Sequence, residues 1–487
     1  MKTRGQCFFK IVAVAAIIFC FHGQSLAGQT FQTEDQKMDS VLSASENLQK
    51  KLDDLTTENS SLKDAHASDL KELKNAKDRE AELSLQLAQV QATQKKFEEF
   101  SMKAQSGVSP ENYSSVMFTW LLSHQNKNTG LVASFEGDSD IEDVAFTYDQ
   151  SLATQAMLIY GETESAKAVL EFFYKKAKWE GDLLYNAYET IGGSPSEFIV
   201  HTGPSLWMGI AALQYEQLTQ DASFRPMAER IAQAVMEIQD GEGGVRGGPT
   251  LFWQSTEHNL DAYTFFGMLY KITGKEKYSK AQQNVLSWIK KYAYSVRDSR
   301  INRGKGDATI ATDTFSWAIA SIGPEKLKEI GFDPEGIMDY AEKNCEVTVQ
   351  NRQSLSQSPE VRGFDFSKAQ NLGRGGVIST EWTAQMVVSY QTLSKYFEKN
   401  GNSEKADHYR QKADFYLTEL QKLLVTSPSR MGQGYASLPY ASIDNVNTGH
   451  GWRTPKGVST GSVSATAYAL FAWKGYNPLE LLEPKGQ

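Results

Sequence analysis

Residues 255–273 read STEHNLDAYTFFGMLYKIT, and residues 276–293 read EKYSKAQQNVLSWIKKYA. The first segment is apolar on nearly every side after its opening turn. The second confines Val285, Trp288 and Ile289 to one face and puts Lys, Gln and Glu on the other. A helix apolar all round is buried, whereas a half-charged one faces solvent. With Gly274 between them, the two predict a helical hairpin with one inner and one outer member.

Outward from this pair the same alternation recurs. Helices are predicted at 111–125, 148–161, 163–177, 203–219, 222–239, 312–323, 333–345, 379–397, 403–424 and 459–475, making twelve with the first two. Apolar, Ala- and aromatic-rich members alternate with charged ones at a period of roughly 50 to 70 residues, the mark of a repeat architecture. If the first helix packs beside the last, six hairpins close into an (α/α)6 toroid, so the fold class is all-α. An open solenoid is the alternative.

The N-terminal part differs. Residues 1–27 carry a basic start, a short apolar run and the small-x-small triplet Ser25-Leu26-Ala27, as a cleaved export signal does. Periplasmic or secreted localisation is therefore expected, with an uncleaved anchor as the alternative. Cys7 and Cys20 leave with that segment, so the mature chain keeps Cys345 alone and has no internal disulfide. Residues 32–105 contain Val41, Leu48, Leu55, Leu62, Asp69, Ala76, Leu83, Val90 and Phe97 in one seven-residue series. A companion series holds Leu52, Asn59, His66, Leu73, Glu80 and Leu87. This is a coiled coil with polar core positions and a weak point at His66 and Asp69, and it implies a homo-oligomer, with an envelope partner as a further role. Gly107 and Pro110 mark a hinge, and 108–487 is read as the catalytic domain.

The body resembles the six-hairpin glycosidase superfamily over about 370 residues, in architecture and motif style. Members are toroids acting on poly- and oligosaccharides, and they include lyases and sugar epimerases as well as hydrolases. The resemblance implies a carbohydrate substrate.

In such a ring the inner helices run parallel and their N-termini share one face. Those starts read FTYDQS, HTGPS, STEHNLD, ATDTFS, STEWTAQ and STGSVS. Ser or Thr at a cap and an acid in the first turn are ordinary helix chemistry. The neighbouring polar groups are not, because two carboxylates and a His on one buried face are costly unless they line a wet cleft. Glu257, Asp149, Asp313 and Glu381 are accordingly the expected catalytic residues, with Glu257 as proton donor and Asp149 as base. His258, Asn259, Asp261, Gln150, Trp253, Trp382, Gln385, Arg374, His450, Trp452 and Arg453 are expected to bind substrate, and Arg246 and Arg303 lie on the same Gly-rich rim loops. Trp207 is a further stacking candidate.

A polysaccharide lyase would instead draw on His258, His450, Tyr263, Arg453 and Asn259, and a non-catalytic glycan-binding or envelope scaffold is the third reading. The formal charge of −9 and the absence of a basic stripe disfavour nucleic acid. No His/Cys cluster has zinc spacing and no G-x-S-x-G elbow is present, so neither metal nor cofactor is expected.

Overall fold

The structure is a computed structural model that describes residues 34–104, 110–350, 360–425, 437–457 and 460–482; the segment read as a signal peptide and the hinge glycine lie outside them. The chain divides into two compact units, 1–85 and 86–487. Helix α1 (Glu34–Ala104) supplies the described part of the first unit. It contains neither Gly nor Pro and is rich in Ala, Leu, Glu, Lys and Gln, the strongest helix formers. Leu48, Leu52, Leu55, Leu62, Leu70 and Leu73 are all more than half exposed along it.

The second unit contains α2 (Pro110–Ser123), α3 (Thr147–Ile159), α4 (Thr163–Lys175), α5 (Thr202–Thr219), α6 (Arg225–Glu237), α7 (Thr256–Thr273) and α8 (Glu276–Tyr292). It continues with α9 (Thr312–Ile322), α10 (Pro324–Glu329), α11 (Pro334–Cys345), α12 (Thr380–Lys399), α13 (Ser403–Gln421) and α14 (Val463–Lys474). Helices α3, α5, α7, α9, α12 and α14 form the inner ring. Each packs on the next, and α14 packs back on α3. Helices α4, α6, α8, α11, α13 and α2 lie outside α3, α5, α7, α9, α12 and α14 respectively. The ring is closed, which excludes the open solenoid: this is an (α/α)6 toroid in which the first hairpin joins the two ends of the body. At the seam, strand Phe135–Glu136 pairs antiparallel with Gly461–Ser462. The short helix α10 was not expected; Pro324 starts it at the first helical position, where the missing N–H costs nothing. Strands of two to five residues in the connecting loops complete the described secondary structure.

Inner helices are buried nearly throughout, with Trp207, Phe265, Phe266, Phe315, Tyr390 and Tyr468 at the centre of the core. Close approach of α5 and α7 depends on Gly209, where a Cβ would stand 2.4 Å from the Phe265 ring.

The inner helix starts are locked to one another by a repeated device. The first residue of each donates its backbone N–H to the loop of the following hairpin: Thr147 to Asn186, Thr202 to Gly247, Thr256 to Arg303, Thr312 to Phe366, Thr380 to Tyr440 and, closing the ring, Val463 to Ser134. Five of the six are threonines, and each hydroxyl reaches the preceding carbonyl. The acceptors are Tyr185 (2.6 Å), Arg246 (2.8 Å), Asn302 (2.6 Å), Asp365 (2.6 Å) and Pro439. The true side-chain caps are serines, Ser255, Ser379 and Ser462. The Ser-Thr pairs read from the sequence as caps thus divide the work: Ser caps its own helix, and Thr ties it to the next repeat.

Three residues further on, a second polar position holds the segment before its own helix. Gln150 accepts from Val132 N–H (2.7 Å) and Ser205 from Leu184 N–H (2.9 Å). Asn259 accepts from Val245 N–H (2.8 Å), Thr383 from Phe364 N–H (2.9 Å) and Thr466 from Leu438 N–H (3.1 Å). Buried loop amides need such partners. The result is a rigid ring of helix ends.

Candidate active site

The residue immediately after each locking position is Tyr148, Gly203, Glu257, Asp313, Glu381 or Ser464. Four residues on, one helical turn deeper on the same face, come Leu152, Trp207, Asp261, Trp317, Gln385 and Tyr468. Contacts between non-adjacent helices place both sets around a common centre. Tyr148 Oη donates to Glu381 Oε1 at 2.7 Å across the ring, and Trp317 Nε1 donates to Tyr468 Oη at 3.2 Å. Trp207 packs against Tyr148, Trp317 and Tyr468 with ring centroids 5.3, 5.6 and 6.3 Å away. These aromatics floor the basin; the carboxylates stand above them.

Glu257 is half-buried, whereas Asp313 and Glu381 are buried. Burial raises the Glu257 carboxyl to about 7; Arg303 pulls it down and Glu381 pushes it up. Asp313 is held well above the usual carboxylate range by burial and then by Glu257, and it accepts from Thr314 N–H at 2.8 Å. Glu381 is also raised by burial, but Tyr148, Ser464 and Gln385 all donate to it and oppose that shift, Gln385 Nε2 at 3.0 Å. Donors favour the ionised form, so Glu381 is the carboxylate best provided to carry charge. Asp261 is fully buried one turn below Glu257, and burial and then Glu257 push its carboxyl well above the usual range; the Trp207 indole N–H turns toward it without a well-aligned hydrogen bond.

Asp149, expected as the base, is pushed up to about 8 by burial, and the Ser134 hydroxyl offsets this only partly. A carboxyl protonated at neutral pH is a poor base, so that role does not suit it.

Around the mouth, Trp253 and Trp452 are exposed, at 47 % and 41 %. Trp253 lies beside His201 (5.7 Å) and His258 (5.4 Å), and Trp452 donates to Tyr440 Oη at 3.0 Å. Phe252, next to Trp253 in sequence, and Phe198, edge-on to Tyr185 at 5.7 Å, are largely exposed, with Arg246 over the Phe252 ring. His258 is seated by Gly203, whose absent Cβ would stand 2.6 Å from the imidazole; burial lowers the ring to about 3, so it stays neutral. Arg303 acts on Glu257 and Asp313, pairs with Asp307 at 3.6 Å and donates weakly to the His450 carbonyl.

Several residues expected to bind substrate have structural tasks instead. Gln150 and Asn259 hold loop amides, as described above. Arg374 is locked in a two-pronged pair with fully buried Asp365, at 2.6 and 2.8 Å. Arg453 braces the turn at Asn445. Buried Trp382 packs on Phe366 and His450, and His450 Nε2 contacts the Phe366 carbonyl at 2.8 Å. Gln385 supports Glu381, and Asp261 lies in the lower layer. Tyr263, considered for the lyase chemistry, faces Lys326 and Glu329 of the short helix α10, away from the helix starts. Tyr148, Ser464, Tyr440, His201, Trp317 and Tyr468 are not among the residues the sequence singles out. Aligning the six starts on their locking residue would have found Tyr148 and Ser464, which share a register with Glu257. Cys345 is a buried thiol raised to about 12, and no group of metal-binding side chains occurs among the described residues.

No protein-family model and no curated protein matches this sequence. Solved structures do. A D-mannose isomerase superposes with a TM-score of 0.55 at 8 % identity, covering 75 % of this chain and 96 % of its own. A sugar epimerase from a ruminal bacterium gives 0.53 at 12 % identity, over 74 % and 99 %. A GH76 α-mannanase of Bacteroides thetaiotaomicron gives 0.50 at 12 % identity, over 76 % and 96 %. The fold is the six-hairpin toroid of those enzymes. At such identities the likeness extends to the toroid and not to any one reaction.

Proposed function

We propose that this chain is a carbohydrate-active enzyme, a glycoside hydrolase in which Glu257 donates the proton to the leaving oxygen and Glu381 is the ionised carboxylate opposite it. The observation that carries the reading is the placement of Glu257, Asp313 and Glu381 at the same register of three successive inner helices. There, burial keeps one acid protonated near neutral pH, while three donors favour the ionised form of another against the same burial. Glycosidic cleavage needs that division of labour. Tyr148 and Gln385 fix the Glu381 carboxylate, and Asp313 supports the network as a protonated neighbour. Trp253 and Trp452 offer flat faces for sugar rings on either side of the acids.

The lyase reading is weaker. A uronate would meet the ionised Glu381, with Arg303 as the nearby cation, so a neutral glycan suits the basin better. An isomerase or epimerase acting on a single sugar has one observation in its favour, the neighbouring neutral rings of His201 and His258, 6.2 Å apart. Incubation with neutral and uronate polysaccharides and with monosaccharides separates these readings. New reducing ends from neutral glycans, lost in both Glu257→Gln and Glu381→Gln, support hydrolysis. An unsaturated product from uronate polymers, or interconverted monosaccharides with intact polymers, overturns it; so does bound glycan with no turnover, which is the scaffold reading. Export through residues 1–27 and self-association through 32–105 complete the proposal and rest on the sequence. The N-terminal residue of the mature protein tests the first.

A further inference from the structure

We infer that the N-terminal helix pairs with a second copy of itself as a parallel, in-register, two-stranded coiled coil. The inference concerns the stalk alone and stands or falls independently of the reaction proposed above. Its first support is the exposure of Leu48, Leu52, Leu55, Leu62 and Leu73, at 53 to 62 %, on one helix. The spacing of these leucines is 4, 3, 7 and 11, which assigns Leu48, Leu55 and Leu62 to heptad position d and Leu52 and Leu73 to position a.

The identity of the polar residues then selects the partner. Asn59 falls at position a between the Leu55 and Leu62 layers. An Asn at a, facing its own copy, sets register and strand number. The flanking positions agree. In a parallel pair, g of one heptad faces e of the next on the partner, which brings Glu58 opposite Lys63 and Glu72 opposite Lys77 of the other copy. The remaining g and e positions from 44 to 84 pair a charged residue only with a neutral one, or two neutral ones: Ala44 with Gln49, Lys51 with Thr56, Ala65 with Leu70 and Arg79 with Ser84. No like-charge pair occurs among these flanking g and e positions. His66 and Glu80 at a and Asp69 at d interrupt the apolar seam, each acid facing its own copy, so the strongest pairing lies between Leu48 and Leu62.

Two measurements test this on the full chain. Sedimentation is expected to give twice the mass of one chain, and Leu55→Asp with Leu62→Asp to give a monomer whose body keeps its thermal transition. For direction, Leu48→Cys and Leu73→Cys are made singly in a Cys7→Ser, Cys20→Ser background, which leaves Cys345 buried. Each variant is expected to form a disulfide-linked dimer by itself on mild oxidation. A single-chain mass across the accessible concentrations overturns the pairing, and a mass of three or more chains overturns the strand number. Cross-linking only when the two variants are mixed shows an antiparallel pair and overturns the direction.

Discussion

Glu257 sits between opposing influences. Burial and Glu381 favour its neutral form, Arg303 favours the charged one, and the balance leaves it near 7. An acid catalyst works only while protonated, so kcat/KM on a neutral glycan is expected to fall about tenfold per pH unit above about 7. Glu257→Gln should lower turnover by about 10²- to 10⁴-fold below about pH 7 and abolish that limb of the profile, so that the difference narrows as pH rises. Asp149 gives a separate prediction, on stability. Its folded pKa of about 8 lies above the unfolded value, so its contribution is complete below about 4 and is lost as pH rises through 8. Between pH 6.5 and 8 the folded state retains a proton that the unfolded state has released, and unfolding free energy should fall by up to about 1.4 kcal/mol per pH unit from this residue. Asp149→Asn should flatten the slope in denaturant titrations at pH 6.5, 7.2 and 8; an unchanged slope refutes the assignment. At this scale the sequence revealed that acids gather at inner helix starts. It did not show which of them are starved of hydrogen bonds, because Tyr148, Gln385 and Ser464 reach Glu381 only once three helices are in place.

At the level of elements, the six starts are positioned by the threonine ties and the loop amides, and the acids inherit that rigidity. Thr256 is the informative case, because its hydroxyl bonds the Asn302 carbonyl next to Arg303, and Glu257 follows it directly. Thr256→Val keeps the shape but removes the donor; loss of about 1 to 2 kcal/mol of stability is expected from the unpaired carbonyl. Turnover should fall with little change in KM, since the acid and Arg303 lose their common anchor. Asn259→Ala should behave differently, costing stability through the Val245 and Ser255 contacts while leaving the pH profile in place. Calorimetry and pH-rate profiles on both variants separate positioning from binding. The inner and outer helices were legible because burial imposes composition on each. The ties were not, since a Thr at a helix start reads as a cap until the carbonyl it meets, some 40 to 60 residues away in sequence, is known.

For the whole molecule, closure decides how stability is shared. In an open stack each repeat leans on its neighbours alone, and losing the last one leaves the others standing. Here α14 packs on both α12 and α3, brings Ser464 and Tyr468 to the basin, and joins the other end of the body at Ser134 and Phe135. Behind the seam, Glu136 accepts from Trp120 Nε1 at 2.5 Å and meets His124 Nε2 at 3.0 Å, so α2 is fastened to the same junction. Removing residues 460–487 should therefore abolish the cooperative thermal transition of the entire body, not subtract one-sixth of it. Removing residues 34–85 should leave that transition and the activity per site unchanged and lower only the sedimenting mass. Circular dichroism melts and sedimentation of the two deletions decide the matter. A C-terminal deletion that still melts cooperatively would show that five hairpins stand alone, and ring closure would then be a consequence of packing and not its source.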